Sequence, residues 1–274
     1  MTPVTSFCTP FGDIVVLRDR SSVAYWQDGR YQSHADTNGI SRAGYIHAIH
    51  GLVLQARARD VLMIGCGGGT LATMLHASGV KATIAEINPC SIDVSREHFA
   101  LPDEIECHVA DGREFLQENA RQFDAVVLDV YDGDNIPEQL RCAEFFRLVR
   151  LRLRDGGCFF ANVIVRKERD RRLRGLVQEM NAAWPVVRVL DSSGTRVRNA
   201  IAMAGAVQNL EPPRLTLTPK TGSKTIIREL EAMSFQHGTV KMQRRRTPRT
   251  EPFRPRQPAP VPAGIDPELA ASIV

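Results

Sequence analysis

The sequence predicts an α/β protein with a Rossmann-like, mostly parallel seven-stranded sheet, an antiparallel terminal hairpin and a small N-terminal β unit. Three observations predict it. The apolar run Val61–Ile64 breaks abruptly into Gly65, Gly67, Gly68 and Gly69, and Leu71–Ala77 then reads as helix. From Asp60 onward, strand-like and helix-like stretches alternate, as parallel crossovers require. The last two strand-like stretches are joined only by Ser-Ser-Gly-Thr, too short for a parallel crossover, so they form a hairpin.

Taken in order, residues 12–33 form the small β unit. Asp13–Leu17 and Val23–Trp26 are its strands, and Asp28-Gly29 is its turn. Tyr45, Ile49, Leu52 and Val53 fall at helical spacing and predict a helix over 42–55. Strands follow at 60–64, 81–86, 104–109, 123–129 and 157–163, with helices at 69–78, 89–99, 112–119, 138–153 and 168–183. The hairpin strands are 186–191 and 197–204. Five alternating units closed by an antiparallel pair describe the class I methyltransferase sheet better than an all-parallel dinucleotide fold. The predicted organisation is a β unit at 1–40, an α/β domain at 41–205 and a Pro/Arg-rich, mostly disordered tail at 206–274, in which 226–235 has the pattern of one short helix.

Composition is that of an ordinary globular chain, with 43% hydrophobic and 24% charged residues in 274. The net charge of +4 belongs to the tail, which holds 11 Lys and Arg against 6 Asp and Glu, of 35 and 31 in the whole chain. A near-neutral body gives no reason to expect a nucleic-acid groove, whereas Arg244-Arg245-Arg246 suits an acidic partner. Six scattered cysteines lack any CxxC pair, and no apolar run or leader-like segment suggests a membrane or export. A reduced, cytoplasmic setting is the expectation. His47 and His50 lie three apart but lack a third ligand, so no metal is expected.

Ligands of open α/β sheets bind beyond the carboxyl ends of the strands, and three successive ends carry a carboxylate: Glu86, Asp111 and Asp129. A carboxylate about 20 residues beyond the glycine turn suits the ribose hydroxyls. One at the next strand end suits an adenine amino group, although Asp111 and Asp129 also have the position of helix N-caps. Gly65-Cys66-Gly67-Gly68-Gly69 has Thr70 where a dinucleotide fingerprint wants glycine, so an adenosyl donor other than NAD is favoured, namely S-adenosylmethionine (AdoMet).

These residues resemble the spermidine synthase family of polyamine aminopropyltransferases and its methyltransferase-like relatives over 13–164. Asp28-Gly29, Gln32, Tyr45, the glycine turn, Glu86-Ile87-Asn88-Pro89, Asp111-Gly112 and Asp129-Val-Tyr-Asp132 carry the resemblance. It implies that Gln32, Glu86, Asp111 and Gly112 hold the nucleoside; Gly65, Gly67, Gly68, Gly69, Ile87 and Asp129, at the glycine turn and the strand ends, are the other expected cofactor-binding residues. It also implies that Asp132 helps deprotonate an attacking amine, with Tyr45 beside that amine. Three positions depart from the family. Gly68 stands where an aspartate grips the amine end of decarboxylated AdoMet, Gly133 follows Asp132 where proline is usual, and His47 replaces a glutamate. The expected function is therefore AdoMet-dependent methyl transfer to an amine-bearing small-molecule acceptor. Aminopropyl or aminocarboxypropyl transfer, with decarboxylated AdoMet as the donor in the first case, and a silent adenosyl-binding module are the alternatives. A homodimer is compatible with each.

Overall fold

The computed structural model describes residues 1–236 except 134, 169, 193, 195 and 196, so the Arg244–Arg246 run lies outside the described residues. The described residues fall in one compact unit. Four strands open the chain: β1 (Thr2–Thr9), β2 (Gly12–Arg18), β3 (Ser22–Gln27) and β4 (Arg30–Asp36). They form an antiparallel meander, two strands more than expected. The β3–β4 turn has positive φ at Asp28 (49°) and Gly29 (69°), which suits the Asp-Gly pair. Ile14, Val16, Val23, Tyr25 and Ala35 bury one face of this meander against Val94 and Phe99, so it shares a core with the main fold.

The main fold then runs α1 (Gly44–Gln55), β5 (Asp60–Ile64), α2 (Thr70–Ala77), β6 (Lys81–Glu86), α3 (Pro89–Phe99), β7 (Glu106–Val109), α4 (Gly112–Glu118) and β8 (Phe123–Leu128). After a 3₁₀ turn at Glu138–Leu140 come α5 (Ala143–Leu151), β9 (Leu153–Val165), α6 (Arg171–Met180), β10 (Val187–Ser192) and β11 (Arg198–Gly205). The helix expected over 138–153 is split, because Cys142 is extended (φ −99°, ψ 160°) and starts α5 afresh.

Sheet order is β12-β10-β11-β9-β8-β5-β6-β7, where β12 is Met233–Phe235. β6, β5, β8 and β9 run parallel with β7, while β11, β10 and β12 are antiparallel to their neighbours. The seven strands expected are present in the class I methyltransferase arrangement, and β12 adds an eighth. Side chains alternate across the sheet, so Val61 and Met63 of β5 pack with α1 and α2 while Leu62 and Ile64 pack on the opposite face. The chain reverses its direction of winding between β5 and β8, which opens a crevice at their carboxyl ends.

The boundary expected at residue 206 moves to at least 236. Ile226 and Leu230 of α7 (Ser223–Glu231) are buried in the α1–α2 core, and Met233 of β12 joins them. Their i, i+4 spacing gives a short helix enough apolar face to dock. The Glu229 carboxylate accepts the Gly44 N–H at 3.0 Å, which fastens α7 to the start of α1. The preceding Pro-containing stretch lies along α1, where Thr216 Oγ1 is 2.9 Å from His50 Nδ1.

Candidate active site

A cavity of about 1180 Å³ opens at the strand carboxyl ends and is walled on one side by the β3–β4 region. Of the residues singled out from sequence, Gln32, Tyr45, Gly65, Gly67, Glu86, Ile87, Asp111, Gly112, Asp129 and Asp132 line it. Gly68 and Gly69 do not. A Cβ added at Gly68 would sit 2.8 Å from the Phe99 ring and 2.9 Å from Ser33 Cβ, so position 68 faces packed protein rather than the cavity. Its N–H donates to Ser33 Oγ at 2.9 Å. Gly69 (φ 66°) is the left-handed residue that starts α2.

The turn is held by Glu86. Its Oε2 accepts the Cys66 N–H at 2.7 Å and its Oε1 accepts the Asn88 N–H at 2.8 Å, which ties the end of β6 to the glycines after β5. Burial raises its pKa, and these backbone N–H groups oppose the rise. Burial likewise pushes the Cys66 thiol up, so it stays a neutral thiol. Asp111 caps α4, with Oδ1 accepting from the N–H groups of Arg113 (2.7 Å) and Glu114 (3.2 Å). Among the described residues Oδ2 has no partner. A Cβ at Gly112 would collide with Ile64, so only glycine lets α4 start this close to β5.

Asp129 sits at the crevice, its N–H bound to the Ile64 carbonyl at 3.0 Å. Tyr45 donates its phenol to Oδ2 at 3.2 Å and Asn162 donates Nδ2 to Oδ1 at 2.8 Å. Burial pushes the Asp129 carboxyl up to about 6, with both hydrogen bonds opposing. Burial and the Asp129 charge hold the Tyr45 phenol well above its usual range. An ionised carboxylate accepts only, so Asn162 must present its NH₂ there. Its Oδ1 is then a buried acceptor without a protein partner. Asp132 is exposed at the rim, on a loop closed by its N–H to the Asn135 carbonyl (2.8 Å). Tyr45 therefore pairs with Asp129, not with Asp132.

His47 lies outside the cavity lining, buried with Nε2 2.7 Å from the Ser41 carbonyl. His50 is buried between Thr216, Ser78 and the Met74 carbonyl, and burial lowers its pKa to about 4. No group of three potential metal ligands forms among the described residues. Sequence reasoning missed Ser33, Asn162, Tyr131 and two rim arginines, Arg30 and Arg166. Asn162 did leave a trace, as the one amide within the apolar run Cys158–Val165.

The donor set suits an adenosyl sulfonium compound. Carboxylates at the ends of β6 and β7 match a diol and an exocyclic amine, and Ile87, 44% exposed yet in the cavity wall, offers an apolar platform for a base. The methyltransferase-domain family profile matches residues 61–157. A probable polyamine aminopropyl transferase of Bifidobacterium longum is 32% identical over 127 residues, 46% of this chain and 28% of that protein. An N-terminal histidine N-methyltransferase of Emericella nidulans is 30% identical over 122 residues, 43% of this chain and 22% of that protein. The chain thus spans under a third of the length of either relative. The solved structure of a probable spermidine synthase from Corynebacterium glutamicum superposes with a TM-score of 0.67 at 19% identity, covering 85% of this chain and 90% of that one, a likeness of fold. No helix among the described residues is long and apolar enough to cross a membrane.

Proposed function

We propose, for a chain that belongs to the spermidine synthase family and has a methyltransferase-like fold, that it transfers the methyl group of AdoMet to an amine. The observation that carries this is the Asp129 cluster: a carboxylate pushed up to about 6, beside the glycine turn, hydrogen-bonded by Tyr45 and Asn162 in the cavity wall. A protonated amine cannot attack, and a carboxylate whose pKa lies near neutrality is well matched to take its proton.

In this reading Glu86 and Asp111 hold the ribose and base, Ile87 lies against the base, and Gln32 with Gly65 and Gly67 bounds the rest of the donor. Bound there, the donor supplies an electrophilic carbon next to a sulfonium. Asp129 takes the proton of the acceptor's ammonium, with Tyr45 as partner or relay. Asn162 Oδ1 accepts a remaining N–H and so aims the nitrogen lone pair. The new N–C bond forms as the C–S bond breaks, and its electron pair neutralises the sulfonium. Holding the two reactants in line is worth several kcal/mol by itself. Asp132, at the rim, stays an acceptor-facing carboxylate rather than the base.

The names of the aminopropyltransferase relatives support a second reading, transfer of the propyl arm. Methyl transfer is preferred on the departure at Gly133, which follows Asp132 in the cavity wall; the departures at Gly68 and His47 lie in packed protein outside the cavity and carry no weight for the donor. Incubation with AdoMet or decarboxylated AdoMet and a panel of amines, with the nucleoside product identified by mass spectrometry, separates them. S-adenosylhomocysteine supports methyl transfer, whereas methylthioadenosine supports propyl-arm transfer. Neither product from any amine would remove both.

A further inference from the structure

We infer that Phe11, at the tip of the β1–β2 turn, closes over the face of the donor's adenine opposite Ile87, which makes the N-terminal meander part of the donor site. This rests on the transferase reading above, in which Ile87 lies against the base. Phe11 is 41% exposed and Ile87 44%, and both line the cavity. A single exposed apolar side chain is ordinary, but two on the walls of one cavity leave apolar area for a ligand to cover. The Thr9 hydroxyl brings their two segments together. Its oxygen accepts the Phe11 N–H at 3.1 Å and an Asn88 Nδ2 hydrogen at 3.4 Å, and Asn88 is the residue after Ile87. Pro10, Phe11 and Gly12 thereby border the same end of the cavity as Glu86, Ile87 and Asn88.

The turn is fixed by its own hydrogen bonds. The Thr9 hydroxyl donates to the Gly12 carbonyl at 2.7 Å, and Gln27 Nε2 donates to the Phe11 carbonyl. Gly12 has φ 109°, a conformation that residues with a side chain rarely adopt. These bonds engage the backbone around Phe11, while its phenyl joins none of the buried clusters that hold the fold. A purine is recognised at its edge by hydrogen bonds and at its faces by apolar contact. Asp111 supplies the first, and Ile87 covers one face. An aromatic ring suits the other, because every base has a π-face to stack on and a turn already held in place loses little entropy on binding.

The test titrates S-adenosylhomocysteine into the full chain by calorimetry. Phe11→Ala should weaken binding about ten-fold, within the range for a base stacked on an aromatic side chain, and Phe11→Tyr should stay within about three-fold of wild type. The ligand-free melting temperature of the alanine variant should not fall, since an exposed phenyl supports little of the fold. Phe11→Trp adds a direct readout. S-adenosylhomocysteine should quench its indole fluorescence beyond whatever change Trp26 and Trp184 give in wild type. Unchanged affinity in the alanine variant, a loss matched by a lower ligand-free melting temperature, an equal loss in the tyrosine variant, or no added quenching would each overturn the inference. Failure of S-adenosylhomocysteine to bind wild type would take the transferase reading down as well, which sets the two failures apart.

Discussion

The Tyr45 phenol lies 3.2 Å from Asp129 Oδ2, so helix α1 and the end of strand β8 meet at one hydrogen bond in the cavity wall. That bond joins a donor held well above its usual pKa to an acceptor pushed up to about 6. Both shifts arise mainly from burial, and both make the pair sensitive to the loss of either partner.

Asp129→Asn should therefore separate stability from activity. The folded-state pKa of Asp129 is raised above its unfolded value, so the folded chain holds this proton more tightly. Stability from this group is full below about pH 4 and declines as pH rises through about 6. Asparagine cannot ionise, so the variant should melt as high as wild type or higher at pH 7.5, with the advantage shrinking toward pH 4. Transfer should fall at least ~100-fold, the scale of a lost general base. Melts from pH 4 to 8 and initial rates check the two halves, and a rate within three-fold of wild type would rule out Asp129 as the base.

Tyr45→Phe removes one of the hydrogen bonds that lower the Asp129 pKa. The acid limb of kcat/KM, rising with a midpoint near 6 in wild type, should move to higher pH. The melting temperature should change little, since one such bond contributes about 1 kcal/mol. A pH–rate profile with an unmoved acid limb would disconnect Tyr45 from the carboxylate.

Glu86 serves the turn and, in the proposed reading, the ribose. Glu86→Ala should weaken S-adenosylhomocysteine binding by about 1.5–3 kcal/mol, the range for hydrogen bonds to a charged group. It should also loosen the turn, because the Cys66 and Asn88 N–H groups lose their acceptor. Glu86→Gln, which keeps an acceptor, should lose less of both. Calorimetry beside thermal melts would expose a purely structural role as lowered stability with unchanged affinity.

Gly68→Ala should destabilise the fold by about 1–3 kcal/mol, the usual cost of overpacking. Phe99 is fully buried and Ser33 Cβ stands 2.9 Å from the added Cβ, so neither yields easily. An aspartate there would disturb the same packing, which makes it a poor probe of donor charge. Urea titration showing an unchanged midpoint for the alanine variant would mean that this corner of the turn relaxes freely.

Ile226→Ala should cost about 2–5 kcal/mol, as truncation of a buried aliphatic side chain does. The residue is fully buried in the α1–α2 core, and a surface tail would register no such loss.

Much of this arrangement was legible in the sequence. The glycine turn shows because strand, turn and helix leave different residue patterns side by side, and Glu86, Asp111 and Asp129 show because each closes an apolar run. Asn162 and Arg166 did not, since their place in the wall depends on β9 pairing with β8. The orientation of Gly68 depends on Phe99, about 30 residues away, and no local pattern encodes it. The docking of Ile226 and Leu230 was hidden by the prolines before them, which read as a tail but lie along α1. The Tyr45–Asp129 pairing was missed because Asp132 shares the same short segment, and only the loop geometry separates the two carboxylates.

Gly44 and Glu229 are 185 residues apart, yet their hydrogen bond joins α7 to α1. During synthesis at about 5–20 residues per second, the ribosome would release α1 roughly 10–40 s before α7. For that interval the apolar face of α1 that later receives Ile226 and Leu230 has no permanent cover. The sheet itself waits far less, since Gly205 at the end of β11 precedes the end of α7 by about 1–5 s at the same rate, so α1 is the element that stays open longest.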